Sequence, residues 1–497
     1  MHASLARPAG ALAAAALLAL LSACGTTPVG PDYQVPREAL VRQPAAGASF
    51  DRAAAEVGEL ADSAPLPPRW WRLYQDSALD ALVGRALERN TDLRQAVANL
   101  ERVQALGTEI GAADGLHVGL SGAPVYGHVS GLSVLQPGYQ PANEWMASAG
   151  VQLSYELDLF GQLRRAIEAS DASTSAARAG LELARVNVAG ATARAYASAC
   201  SAGLRLQTTA HSIQLQREAL DVAQRLQQAG RVGALDVGRA QAQLAQLNAL
   251  TPPLRAQQRA ALLQLQTLTG AIPGDAKDPL PTGVASCVQP PMLASTIPVG
   301  DGATLLRRRP DVRQAERELA VATAHIGVVT ADLYPKIKLG LSTSSEGPLS
   351  DFGRRDTVAW NLGPLISWTL PNTGAVQARI AQAQAGARGA LARFDGTVLT
   401  ALRETETALD AYARDLDRRT ALTAAREAAA TVAEQSRRLY RAGKTGYLET
   451  LDGERSLASA ESALADNQAQ LADDQVRLFM ALGGGWEAEA PQPVAQR

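Results

Sequence analysis

Leu439-Tyr440-Arg441-Ala442-Gly443-Lys444-Thr445-Gly446-Tyr447-Leu448-Glu449-Thr450-Leu451-Asp452 lies inside a run, Asn372 to Ala490, that contains no proline. The flanks are rich in Ala, Leu, Gln, Arg and Glu, all good helix formers. Gly443 and Gly446 are the strong breakers near the midpoint. The stretch therefore reads as one very long helix, a tight turn and a returning helix. An arm from Gly374 to Arg441 would extend about 100 Å at ~1.5 Å per residue. No ordinary globular core is that deep, so such an arm has to pack along other helices, as in a coiled coil or a helical tube. In the returning arm Leu457, Leu464, Leu471 and Leu478 recur every seven residues.

The same pattern occurs earlier in the chain. A shift of 213 positions carries Gly230 onto Gly443, Gly233 onto Gly446 and Leu244 onto Leu457. It also carries Tyr155 onto Trp368, Gly161 onto Gly374 and Gly270 onto Gly483. A shared shift from about residue 153 to 270 predicts an internal duplication. The first long helix is expected over Gly161 to Gln228 and its partner from the turn to Asn248. Pro252-Pro253 should kink or split that partner before it resumes over Leu254 to Leu268.

Ahead of each long arm the apolar period changes from 3.6 to 2. From Trp145 to Leu157 the odd positions are Trp, Ala, Ala, Val, Leu, Tyr and Leu, and the even ones are mostly polar or small. Residues 116 to 130 alternate more weakly. Lys336 to Ser342 and Val358 to Leu370 repeat the pattern in the second half. Four strands with one apolar face are expected, as two hairpins. Each hairpin follows a helical segment, the first from about Ser77 to Gly111 with a break near Asn90. A second short helix, Asp301 to Leu306, precedes one opened by Arg309-Pro310, where proline at a helix start loses no hydrogen bond.

Net charge is −2 over 497 residues, so composition gives no case for nucleic-acid binding. Aromatics make up only 4%, as expected where helices pack closely through Ala and Leu. The five His and three Cys form neither CxxC nor HExxH, which argues against a metal site. His117, His128, His211 and His325 have no Ser/Asp or Cys arrangement beside them, and no enzyme is expected. Cys200 lies on a helix among alanines and reads as a small packed apolar group. Cys287 lies in a loop. The sequence does not fix whether the two are free or bonded.

Arg7 precedes an apolar run, Ala11 to Leu21, too short to span a bilayer and typical of a secretory signal. It ends Leu21-Ser22-Ala23-Cys24-Gly25, which resembles a bacterial lipobox. That resemblance implies a diacylated Cys24 and, with Gly after the cysteine, sorting to the outer membrane. The expected organisation is a signal peptide at 1–23, a lipidated extended segment at 24–76, whose Pro/Gly/Ala-rich residues 25–68 lie along the surface without a core of their own, and a first repeat at 77–270. An equatorial loop at 271–300, expected on the outside of the helical body, a second repeat at 301–483 and a flexible tail at 484–497 complete it.

Four strands cannot close a barrel alone, since the smallest membrane barrels have about eight. Trp145, Tyr155, Trp360 and Trp368 fall near strand ends, as interfacial girdles do. The reading is an α+β membrane protein whose strands pool between chains.

Cys24, Val29-Gly30-Pro31-Asp32-Tyr33, Arg308-Arg309-Pro310-Asp311-Val312, Tyr334-Pro335 and the two Ala-Gly turns together resemble the TolC/OprM outer-membrane efflux family, in its NodT-like lipoprotein branch. The resemblance covers almost the whole mature chain. It implies a homotrimer with a twelve-stranded transmembrane β-barrel and a periplasmic tunnel of twelve helices. It also implies docking to a periplasmic adaptor and an inner-membrane RND-type pump, with passive export of small toxic compounds and no catalysis. By the same resemblance, Asp452, Glu449, Leu448, Leu451 and Tyr440 form a periplasmic gate. Gly230, Val232, Gly233, Ala234, Gly443 and Gly446 form tips that meet the adaptor. Two other readings remain at this level: the outer-membrane component of a type I protein secretion system, and a structural periplasmic coiled-coil lipoprotein.

Overall fold

The computed structural model describes residues 27–50, 61–62, 66–132, 135, 137–293, 297–368 and 373–484. The signal peptide, Cys24 and the tail from residue 485 onward lie outside the described residues. In chain order the elements are β1 (Ala61–Asp62), α1 (Ser77–Arg89), α2 (Thr91–Ala112), β2 (His117–Gly127) and β3 (Glu144–Leu157). Then come α3 (Gln162–Gln228), α4 (Ala234–Ala249), α5 (Thr251–Leu268), β4 (Ile297–Pro298), α6 (Gly302–Arg308) and α7 (Pro310–Thr330). The chain continues with β5 (Lys336–Pro348), β6 (Val358–Ser367), α8 (Thr373–Arg441) and α9 (Tyr447–Ala481). Helix, two strands, very long helix and returning helix thus occur twice in the same order.

The long helices match expectation closely. Both end in the same way: Gly230 and Gly443 take positive φ, +69° and +68°. Behind each glycine the chain closes the helix with a pair of bonds. Gly230 N–H donates to Gln227 O and Arg231 N–H to Leu226 O; Gly443 N–H donates to Tyr440 O and Lys444 N–H to Leu439 O. These are Schellman caps, which favour a residue without a Cβ. Gly270 and Gly483 close α5 and α9 with the same bond pair.

The prolines split the returning arm as expected, but the resumed helix opens earlier than Leu254. The break falls at Leu250, and α5 opens at Thr251 with both prolines inside its first turn. Their missing N–H groups sit where a helix has no acceptor to offer, so no bond is lost.

The chain divides into two compact units. One comprises residues 1–36, 101–176 and 315–393, the other 37–100, 177–314 and 394–497. The first unit carries an antiparallel sheet in the order β2-β3-β5-β6. Register places Val118 opposite Leu153, Leu153 opposite Leu341 and Leu341 opposite Leu362, an apolar row across all four strands. β5 runs beyond the predicted Ser342 to Pro348, because Thr343 to Pro348 pair with β3 although their own sequence is mostly polar. β6 ends at Ser367; Leu370 lies outside the described residues.

In the same unit the N-terminal segment runs as expected over a surface. Val29 N–H donates to Phe160 O. The Arg165 side chain, 4% exposed, donates to Val29 O, Gly30 O, Asp32 Oδ1 and Glu168 Oε2. Gly30, at φ +88°, lies so close to Gly327 that a Cβ would sit 2.5 Å from the Gly327 Cα.

The second unit holds the main core. Trp70 stacks on Phe479 with centroids 4.6 Å apart, beside Trp71, Leu79, Leu82, Tyr196, Leu265, Leu409 and Leu478. Tyr196 donates to Asp76 Oδ2 at 2.8 Å, and Asp76 Oδ1 caps α1 through Ala78 N and Leu79 N. Elsewhere helices meet through alanines at 189, 193, 195 and 199 of α3, which explains the small share of aromatics.

Two expectations are corrected here and one open question is answered. The early Pro/Gly/Ala segment does enter a core, through buried Ala39, Ala46 and Phe50. The 271–300 loop is not merely an outer layer: Val284 and Ile297 are buried, and β4 pairs in parallel with β1. Cys200, read as a packed residue with its bonding left open, is disulfide-bonded to Cys287, 87 residues away. Among the described residues no cluster of three metal-binding side chains occurs. No described helix is long and apolar enough to cross a membrane.

Candidate functional site

Two surfaces are candidates for function: the sheet and the helix turns. On the sheet, β2 even positions, β3 and β5 odd positions and β6 even positions share one face. That face holds Leu120, Val151, Leu153, Leu339, Leu341, Trp360, Leu362 and Ile366. Most are exposed, Trp360 at 73%. Tyr126 and Trp145 lie together at one end of β2 and β3, with ring centroids 5.6 Å apart. Tyr155 lies toward the other end of β3. The opposite face carries Gln152, Ser154, Ser342, Ser344 and Asn361, with a Lys338–Glu156 ion pair at 3.0 Å. A sheet greasy on one side and hydrophilic on the other suits a wall between lipid and water. Among the described residues, β2 and β6 each keep one edge unpaired in the single chain.

The helix turns are built from four helices. α3 and α8 end at their glycine caps. Gly233 and Gly446 are the N-caps of α4 and α9, both extended and without a side-chain cap. Asp236 and Glu449 occupy the first turns, where a carboxylate favours the helix dipole. Glu449 folds back over its N-cap, so that a Cβ on Gly446 would meet Oε2 at 2.9 Å. The tip glycines at 230, 233, 443 and 446, with Ala234, are exposed, and Val232 is half-buried.

Behind them lies a small core of Ala240, Tyr440, Tyr447 and Leu451. The two tyrosine rings are 5.5 Å apart. Gln216 on α3 is buried and donates to both Ala240 O and the Tyr447 hydroxyl. Arg455 Nε donates to Gln243 Oε1 at 2.7 Å, joining α9 to α4. Burial first, then the Asp236 carboxylate, pushes the Tyr440 hydroxyl up to about 12.

The five gate residues named from sequence separate into two sets. Leu448, 55% exposed, stands with Glu449 and Asp452 on the open face of α9. Tyr440 and Leu451 do not stand there. Both are buried in the tip core, since they lie on the side of their helices that meets α4. Their part is to fix the turn that carries the other three. Sequence reasoning missed Gln216, Gln243 and Glu454. Gln216 gave no local signal, because its partner Tyr447 is 231 residues away.

An amphipathic sheet in one chain with two helices of 67 and 69 residues, each about 100 Å long at ~1.5 Å per residue, suits an outer-membrane channel. The outer membrane efflux protein family model matches residues 82–271 and 303–484, and the chain belongs to that family. Nodulation protein T of Rhizobium leguminosarum bv. viciae is 30% identical over 478 residues, spanning 96% of this chain and 94% of that protein. The toluene efflux pump outer membrane protein TtgI of Pseudomonas putida is 28% identical, over 94% of this chain and 97% of that one. The solved outer-membrane channel OprN superposes with a TM-score of 0.84 at 35% identity, covering 92% of this chain and 99% of that one. The protein is thus an outer-membrane efflux channel of the tripartite type, located in the outer membrane and extending into the periplasm. Its family consists of channel proteins.

Proposed function

We propose that three copies of this chain assemble into one passive conduit. Three four-stranded sheets would supply twelve strands to a single transmembrane β-barrel, and the paired long helices of three chains would line a periplasmic tunnel. The carrying observation is the sheet itself: an exposed apolar face bounded by two open edges, which aggregates unless another chain pairs with it. That sheet also disfavours a purely helical coiled-coil lipoprotein. The twofold element order, with Gly230 and Gly270 capped like Gly443 and Gly483, supports an origin by internal duplication.

The conduit would carry small toxic compounds delivered by a periplasmic adaptor and an inner-membrane RND-type pump. The exposed tips at Gly230, Val232, Gly233, Ala234, Gly443 and Gly446 are the proposed adaptor contacts, and lipidation of Cys24 the membrane anchor. The gate is the open face of α9, with Leu448, Glu449 and Asp452. Three copies of each carboxylate near a common axis would favour cations and repel one another. The test is single-channel conductance of the reconstituted protein. Glu449→Ala with Asp452→Ala should raise conductance and reduce cation preference; an unchanged channel removes the gate assignment.

A further inference from the structure

Two residues beyond Asp452, Glu454 sits in the packing between α9 and α8. Neither of its carboxylate oxygens is accessible, and neither has a hydrogen-bond partner among the described residues. The helices are tightly apposed there: a Cβ on Gly453 would lie 3.0 Å from the Ser436 Oγ and 3.4 Å from the Ala433 Cα. A cavity of about 20 Å³ adjoins Glu454, lined by Ser212, Gln216, Gln243, Arg437 and Glu461 among others. That volume holds roughly one water, too little to solvate a carboxylate in place.

We propose that Glu454 is a proton-controlled latch of the tip. Neutral, it packs between α8 and α9 and holds the first turns of α9 closed. Ionised, it gives its proton to water and has to reach solvent, which frees the turns carrying Leu448, Glu449 and Asp452. Its effect on conduction rests on the gate proposed above; its effect on the turn does not.

The charged surroundings do not cancel the cost of ionisation. α8 presents Arg437 and Arg441, α9 presents Tyr447, Arg455 and Glu461, while α3 and α4 offer the uncharged Ser212, Gln216 and Gln243. Arg455 is engaged by Gln243. Burial outweighs the pull of Arg437 and Arg441 and raises the Glu454 carboxyl from 4.5 to about 7. A folded value above the free one means the latch is complete below about pH 4.5 and is lost as pH rises to about 7. Within that window each pH unit moves the opening equilibrium about tenfold toward the free turn, and above it the effect is flat.

Hydrogen exchange of the tip amides, residues 447–457, in the intact detergent-solubilised channel reads this directly. After correction for intrinsic exchange, wild-type opening should rise about tenfold or more between pH 5 and pH 7. Glu454→Gln, which imitates the neutral acid, should stay protected throughout. Glu454→Leu should do likewise, which guards against a variant that fails to fold. A Glu454→Gln profile as steep as wild type overturns the latch. Conductance separates the two readings. If the Glu449/Asp452 variant alters current while Glu454→Gln leaves its pH profile unchanged, the gate stands and the latch fails. If exchange responds to Glu454 while the Glu449/Asp452 variant is silent, the latch stands and the gate assignment fails.

Discussion

Asp474 shows how much of α9 lies below the resolution of a leucine heptad. Leu457, Leu471 and Leu478 are buried, as their spacing predicts, yet Asn467, Asp474 and Gln475 are buried on the same helix. Gln475 donates to the Tyr412 hydroxyl and Asn467 to Asp415, so two of the three are explained by partners on α8. Asp474 accepts from Gln470 through one oxygen while the other has no partner. Burial, and then the neighbouring Asp415 carboxylate, raises its carboxyl above the ordinary 3.8. A raised folded value means that Asp474 supports the fold fully below about pH 4, and that this support is lost as pH rises through the folded value. Asp474→Asn should therefore stabilise the protein at pH 8 by about 1 kcal/mol or more, with little gain at pH 4. Thermal unfolding at the two pH values checks it; equal effects at both would mean that only packing is involved. No periodicity could have found this residue, since its cost depends on burial against other elements and on a carboxylate 59 positions earlier.

At the scale of elements, the parts readable from sequence were those set by local chemistry. Proline-free length gave α3 and α8, paired glycines gave their caps, and alternation gave β3 and the start of β5. Where a partner decides, the sequence was silent. β5 is six residues longer than its own alternation suggests because β3 continues to offer ladder bonds. The Cys200–Cys287 bond is the clearer case. Cys200 sits among buried alanines and is itself fully buried, which reads as a packing residue. Only the approach of the loop reveals its role. Gly203, one turn on, is so near that a Cβ there would collide with the Cys287 carbonyl. The bond closes a separation of 87 residues and ties the segment after α5 onto α3. In the chain-entropy account such a closure is worth about 2–4 kcal/mol or somewhat more. Cys287→Ser, or reduction of the wild type, should lower the melting temperature and expose residues 271–293 to proteolysis before the helices are cut. Unchanged loop cleavage under reducing conditions would show that packing of Val284 holds the loop alone.

At the scale of the whole molecule, the twofold element order and the sheet belong to one problem. Each half contributes two strands, and the four pair into a sheet that stops at β2 and β6. A soluble protein would cover the face of Leu120, Leu153, Leu341 and Leu362 with a helix, but these residues stand exposed or half-buried in the single chain. Lipid on that face and a neighbouring chain on each edge remove both liabilities together, which neither does alone. The sequence carried the faces, because alternation fixes them residue by residue; it carried the number of chains only through resemblance, because no residue in one copy states how many others complete it. Adjacent residues on β5 test the arrangement with the same added charge and no change in strand length. Leu341→Lys places an ammonium on the apolar face, where insertion near the bilayer midplane costs about 2–4 kcal/mol. Ser342→Lys places the same group on the face that already holds Lys338. The expected result is a marked loss of heat-resistant oligomer in outer-membrane extracts for Leu341→Lys and near-normal yield for Ser342→Lys. Equal tolerance at both positions would mean that water wets both sides of the sheet, and the barrel would have to be abandoned.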